Sequence, residues 1–252
     1  MKLVRFQVQG RTAHGILNNE GVTELEGDFF GPLKTLSTVR ARSSVKLLAP
    51  CSPSKVIAVG LNYQDHAREL GLPVPDTPII FLKPPTAIIG PDDAIFYPGM
   101  SAQVDYEAEL GVVIKDRVRN VRPEEALDHV LGYTCANDVT ARDLQKKDGQ
   151  WTRAKSFDTF CPVGPWIETD LNPDDLLVES YLNNERRQSS RTSRFIFKVN
   201  FLVSFISEIM TLEPGDLIIT GTPAGIGPMK PGDEIEVRIE GIGSLKNIVS
   251  AN

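Results

Sequence analysis

Polar and apolar positions alternate at the start of the chain. Val4, Phe6 and Val8 fall on one side and Arg5, Gln7 and Gln9 on the other, the period-two pattern of a half-buried strand. A second strand is predicted over residues 13–17, with Asn18-Asn19-Glu20-Gly21 as its turn. Residues 1–48 therefore read as a small β-rich N-terminal segment, and two prolines within Ala49-Pro50-Cys51-Ser52-Pro53 mark its boundary with residues 49–252. Beyond it, apolar runs predict strands over 55–59, 79–82, 87–89, 107–114, 132–135, 216–220 and 234–239. Helical character is predicted over 62–70, ending at Gly71, and over 123–130 with Pro123 at its start. Apolar residues at 199, 202, 203, 206, 209 and 210 have helical spacing. Short strands outnumber helices. The pattern predicts a mainly β (α+β) chain with short helices rather than a doubly wound α/β sheet.

Composition narrows the functional classes. Of 252 residues 41% are hydrophobic, enough for a core and too many for wholesale disorder. A formal charge of −6 with no basic block argues against a nucleic-acid partner. The three cysteines share no close spacing, so neither a disulfide framework nor a thiolate zinc site is indicated. Residues 1–15 lack the apolar run of a signal peptide, and nothing approaches the ~20 apolar residues of a membrane span. The expected location is the cytoplasm, with no membrane partner, and the expected chemistry runs on oxygen ligands and carboxylates.

Five constellations could carry that chemistry. Glu107 and Glu109 would project from one face of a strand, about 7 Å apart at the backbone. Two such acids call for a hard divalent cation, or else they sit in water at an exposed edge. Asp138 follows the strand predicted over 132–135 and could add a third carboxylate, or simply cap a helix. His66 and Glu69 are i, i+3 neighbours, which can give an imidazole base held by a carboxylate or an incidental surface pair. The prolines at 73, 75 and 78 suggest a flap after them. Lys155, in Ala154-Lys155-Ser156-Phe157-Asp158, is a fixed positive charge or an ordinary surface lysine. Thr220-Gly221-Thr222-Pro223-Ala224-Gly225-Ile226-Gly227-Pro228 makes a shaped loop whose N–H groups can approach an oxyanion, or a plain tight turn. It lacks the nucleotide-binding glycine patterns.

The order and wording of these segments are more specific than any one alone. Gly60-Leu61-Asn62-Tyr63-Gln64-Asp65-His66, Ile80-Phe81-Leu82-Lys83-Pro84-Pro85, Asp105-Tyr106-Glu107-Ala108-Glu109-Leu110, Asn137-Asp138-Val139-Thr140-Ala141-Arg142-Asp143-Leu144-Gln145, Ala154-Lys155-Ser156-Phe157-Asp158 and Ile219-Thr220-Gly221-Thr222-Pro223 closely resemble the fumarylacetoacetate hydrolase family. The wording is most similar to its short acylpyruvase, oxaloacetate decarboxylase and 2-hydroxyhepta-2,4-diene-1,7-dioate isomerase branch. The resemblance runs from about residue 50 to the C-terminus.

It implies a mixed β-sandwich roll and a catalytic domain over 49–252, with Mg²⁺ or Mn²⁺ on Glu107, Glu109 and Asp138. By the same matching, His66 and Glu69 form a lid dyad that activates water or moves a proton, and Lys155 stabilises negative charge. Arg142, Gln145 and Thr222 contact substrate. Asp105 lies in the motif without a ligand role. The implied substrates are small anionic β-dicarbonyl or enol acids, converted through a metal-stabilised enolate by C–C hydrolysis, decarboxylation or double-bond isomerisation. A homodimer is implied as well. The different-class alternative is a small-molecule-binding β protein that keeps the fold without catalysis.

Overall fold

A computed structural model describes residues 1–69 and 71–251. Most of the regular structure is strand, arranged among the described residues as a twelve-stranded, a five-stranded and a three-stranded sheet. The large sheet runs in the order Thr35–Arg40, Gly21–Leu25, Arg11–Asn18, Lys2–Val8, Cys161–Glu168, Val130–Asn137, Ala108–Ile114, Leu217–Ile219, Val56–Gly60 and Ile79–Lys83. The N-terminal strands thus extend the same sheet, with Leu3 opposite Ile167. Most pairings are antiparallel, but Leu217–Ile219 runs parallel to Val56–Gly60, so the sheet is mixed.

All seven residues of Ala108–Ile114 are buried, because both faces of the sheet are covered. A strand buried on both sides reads as a near-continuous apolar run, as this one does apart from Glu109. Leu110, Val112 and Ile114 enter one core together with Val178, Val237 and Leu245 of the five-stranded sheet. Helix Val199–Ile209 closes that core with Leu202, Val203 and Ile206, each worth roughly 1.5–3 kcal/mol on full burial. Val113 faces a second core, which includes Leu3, Val163 and Ile167.

Some expectations change. The helix predicted over 62–70 is Gln64–Glu69; Leu70 lies outside the described residues. The segment 123–130 forms only a 3₁₀ turn at Ala126–His129, where the Asp128 N–H bonds the Glu125 carbonyl. Pro85 opens another 3₁₀ turn, which shortens the strand predicted at 87–89 to Ile88–Ile89. The most consequential change is at Glu107, which was expected inside a strand. It sits at a break between Val104–Tyr106, in the three-stranded sheet, and Ala108–Ile114, in the large one. The Glu107 N–H is satisfied there by the side chain of Asn137, at 2.9 Å.

Candidate active site

Short elements bring the site together where the large and three-stranded sheets meet. Glu107 sits in the break before the Ala108–Ile114 strand, and Glu109 is that strand's second residue. Asp138 follows the neighbouring strand Val130–Asn137, its N–H bonded to the Glu107 carbonyl at 2.9 Å. Glu107, Glu109 and Asp138 are all buried, and each can offer an oxygen within 4.8 Å of the others. The helix-cap reading of Asp138 does not hold, because Ala141 takes the N-cap position of helix Arg142–Asp148.

Three buried cations meet this group. Lys155, at the end of helix Thr152–Lys155, donates to Glu107 Oε2 at 2.9 Å and Asp138 Oδ2 at 2.6 Å. Burial alone would lower its pKa, but Asp138 and Glu107 outweigh that and hold it above the ordinary lysine value. Lys83 donates to Asp138 Oδ1 at 2.5 Å and is 1% exposed. Arg142 bonds Asp105 Oδ2 through Nε at 2.8 Å, Gln145 Oε1 through Nη1 at 2.6 Å, and Glu107 through Nη2. Burial would raise the pKa of Glu107, yet Lys155 and Arg142 hold it well below the usual carboxylate range.

Glu109 has no such cation. Among the described residues its one hydrogen bond comes from the Gly221 N–H, 2.7 Å from Oε2. Burial, then Asp138 and Glu107, push its carboxyl well above the usual range. Four buried carboxylates, counting Asp105, thus face three cations, and the uncompensated acid points to a missing positive charge. Three carboxylate oxygens converging in one buried spot suit a hard divalent cation such as Mg²⁺ or Mn²⁺. The donor set therefore fits the ion that the carboxylates had suggested.

His66 and Glu69 lie on helix Gln64–Glu69, over the cluster. His66 is 5% exposed, and its Nδ1 is 2.9 Å from Glu69 Oε2. The other oxygen of Glu69 accepts from the Gly225 N–H at 2.9 Å, tying the helix to the loop after Leu217–Ile219. That loop does meet anions with its N–H groups, but they are the protein's own Glu109 and Glu69. Gly221 holds φ 95°, and a Cβ there would come 2.7 Å from Asn62 Cβ. Thr222 Oγ1 donates to the Ala108 carbonyl at 2.9 Å and accepts from Gln188 Nε2 at 2.7 Å.

These groups line one cleft of about 280 Å³. Its carboxylate floor carries Lys155; His66 and Thr222 lie at its sides. Phe81 and Trp151 form an apolar wall, edge to face at 5.2 Å, with the indole set against Gly60. All nine residues singled out from the sequence lie in or beside this cleft; Glu69 reaches it through His66. Sequence reasoning missed Lys83, although it stood inside a quoted motif, and Gln188, which also accepts from the Ala108 N–H at 3.0 Å. Lys83 is alternation-compatible with an exposed strand residue, and nothing local signals that Asp138 meets it.

Residues 55–250 match the family described as Fumarylacetoacetate (FAA) hydrolase C-terminal. The chain belongs to this family. Residues 1–50 match a second description, Rv2993c-like, N-terminal. Among solved structures of fumarylacetoacetate hydrolase relatives, 5-carboxymethyl-2-hydroxymuconate delta-isomerase from Mycobacterium smegmatis is 44% identical, with a TM-score of 0.95 and 100% of both chains covered. 2-Hydroxyhepta-2,4-diene-1,7-dioate isomerase from Mycobacterium marinum is 45% identical, with a TM-score of 0.93, covering 100% of this chain and 99% of that one. A mitochondrial oxaloacetate tautomerase from Xenopus laevis is 43% identical over 84% of this chain and 70% of its own length. The chain is accordingly a fumarylacetoacetate hydrolase-family enzyme with isomerase and tautomerase relatives.

Proposed function

We propose that the protein is a divalent-metal-dependent isomerase or tautomerase of small 2-oxo or 2-hydroxy-enoic dicarboxylic acids, working through an enolate. The observation that carries this reading is the juxtaposition, in one cleft, of a hydrogen-bonded His66–Glu69 pair with three converging carboxylates and a buried lysine. Glu107, Glu109 and Asp138 would hold Mg²⁺ or Mn²⁺, which when bound supplies a Lewis acid beside the substrate's oxygen atoms.

The chain's own residues divide the rest of the work. With Glu69 as a carboxylate, His66 donates from Nδ1, and Nε2 is left as the basic nitrogen. That nitrogen takes a proton from carbon or oxygen next to the carbonyl and returns it elsewhere on the conjugated system, giving tautomerisation or a double-bond shift. Lys155, kept protonated by Asp138 and Glu107, supplies positive charge where the enolate forms. Phe81 and Trp151 exclude water from the carbon chain. The three relatives reported above are named as two isomerases and a tautomerase, reaction types that shift protons rather than cleave carbon–carbon bonds, and this supports the proton-shift outcome.

The test is a screen of purified protein with Mg²⁺ against enol oxaloacetate, acylpyruvates, fumarylpyruvate and 5-carboxymethyl-2-hydroxymuconate-derived dienes, followed in the ultraviolet with product analysis. The expected result is proton-shifted product of unchanged mass. Carbon dioxide release would assign a decarboxylase instead, and acid fragments a hydrolase. Turnover of no substrate would favour the non-catalytic binding protein.

A further inference from the structure

The charge balance of the cleft points to a specificity-determining residue at its mouth. On the floor every cation is engaged by protein: Lys83 by Asp138, Lys155 by Glu107 and Asp138, Arg142 by Asp105 and Glu107. With all four carboxylates ionised against three cations, the floor carries one net negative charge. A divalent cation would turn that into one net positive charge, which a single substrate carboxylate matches. A second, distal carboxylate would find no positive charge there.

Helix Arg142–Asp148 provides one further out. Arg142, Gln145 and Lys146 all line the cleft, at the i, i+3 and i+4 positions of one helical face. Arg142 takes the Gln145 amide oxygen, leaving its NH₂ group as a donor. Lys146 is exposed, and among the described residues no carboxylate pairs with it. Nearby Arg153, by contrast, is paired with Asp148. The same cleft also has an apolar lining, from Phe81, Trp151 and Leu72. A substrate with one end at the buried carboxylates has its other end in the outer part of the cleft, where exposed Lys146 forms part of the lining.

We propose that Lys146 receives the distal carboxylate of a dicarboxylate substrate and sets the preference for dicarboxylates over monocarboxylates. Gln145 contributes a neutral donor beside it. This rests on the oxo-acid reading of the cleft given above.

The test uses two unreactive probes that share a vicinal oxygen pair and differ in the distal group: N-oxalylglycine, which has a second carboxylate, and oxamate, which has none. Calorimetry on the Mg²⁺-loaded full chain would give both affinities for wild type, Lys146→Ala, Lys146→Arg and Lys147→Ala. Lys147 carries the same charge on the next residue but does not line the cleft, so it controls for the overall field. Wild type is expected to favour N-oxalylglycine by about ten-fold, the scale of one charge-assisted contact. Lys146→Ala should bring the ratio near one, while Lys146→Arg and Lys147→Ala retain it.

An unchanged ratio in Lys146→Ala overturns the assignment, as does an equal loss in Lys147→Ala or a wild type that binds both probes alike. Lys146-dependent selectivity in a protein that turns over none of the screened acids would keep the subsite and reject the proposed reaction. Turnover with no Lys146 effect does the reverse. Binding of neither probe rejects both.

Discussion

Replacing Glu109 by Gln separates the metal site from the fold, because among the described residues Glu109 is the one acid of the cluster without a direct ion pair. Burial and the neighbouring Asp138 and Glu107 drive its carboxyl well above the ordinary range, which favours the neutral acid when no metal is bound. Gln is close to isosteric with that acid and keeps an acceptor for the Gly221 N–H. Metal-free Glu109→Gln should therefore unfold within about 1 kcal/mol of wild type, in the range of substitutions that break no buried network. Bound Mg²⁺ is a different matter. At one hundred times its dissociation constant it would add about 2.7 kcal/mol to the wild type. For a chain of this length that is roughly 5–10 °C in Tm. The variant should lose most of that shift.

Glu107→Gln sets the contrast. It removes the ion pairs to Lys155 and Arg142, and breaking a buried pair costs about 3 kcal/mol or more. Its Tm should fall even in EDTA. The assay is thermal unfolding of the three proteins in EDTA and in excess Mg²⁺. The reasoning fails if Glu109→Gln is as destabilised in EDTA as Glu107→Gln, or if it keeps the full Mg²⁺-dependent shift.

Other outcomes follow from the same geometry. Lys83→Met leaves buried Asp138 with Lys155 as its remaining cationic partner, so urea denaturation in EDTA should show a loss of about 2–4 kcal/mol, partly restored by Mg²⁺. Glu69→Gln removes the carboxylate that orients His66; kcat should drop about 10²–10⁴-fold, while the Mg²⁺-dependent Tm shift stays as in wild type. Gly221→Ala forces a side chain at φ 95° against Asn62. It should destabilise by about 1–3 kcal/mol and weaken Mg²⁺ binding measured by calorimetry, since the Gly221 N–H positions Glu109.

The parts of the site legible in the sequence were those carried by short-range spacing or by whole motifs. The His66–Glu69 pair needs only one helical turn, and the structure forms it. The strand at 107–114 was visible as an apolar run, but its break at Glu107 was not. That break arises because Val104–Tyr106 pairs with Thr140–Ala141 and Gly227–Met229, far along the chain. Lys83 was illegible for a similar reason. An alternating strand can place a lysine in water, and only the docking of Asp138 across 55 residues makes it a buried ion-pair partner. Arg142, matched to substrate contact, lines the cleft, and its guanidinium is also engaged by Asp105, Glu107 and Gln145. The distribution of charge between floor and mouth depends on these long-range pairings and emerges only with the structure.

The central claim is that one cleft moves protons with the help of a divalent cation. Its most direct test is the catalysed decay of enol oxaloacetate in the ultraviolet by the wild-type protein, first with Mg²⁺, then after EDTA, then with Mg²⁺ restored. The expected result is a rate that falls to the uncatalysed background in EDTA and returns with the metal. An EDTA-stripped protein that turned over at the full rate would contradict the account.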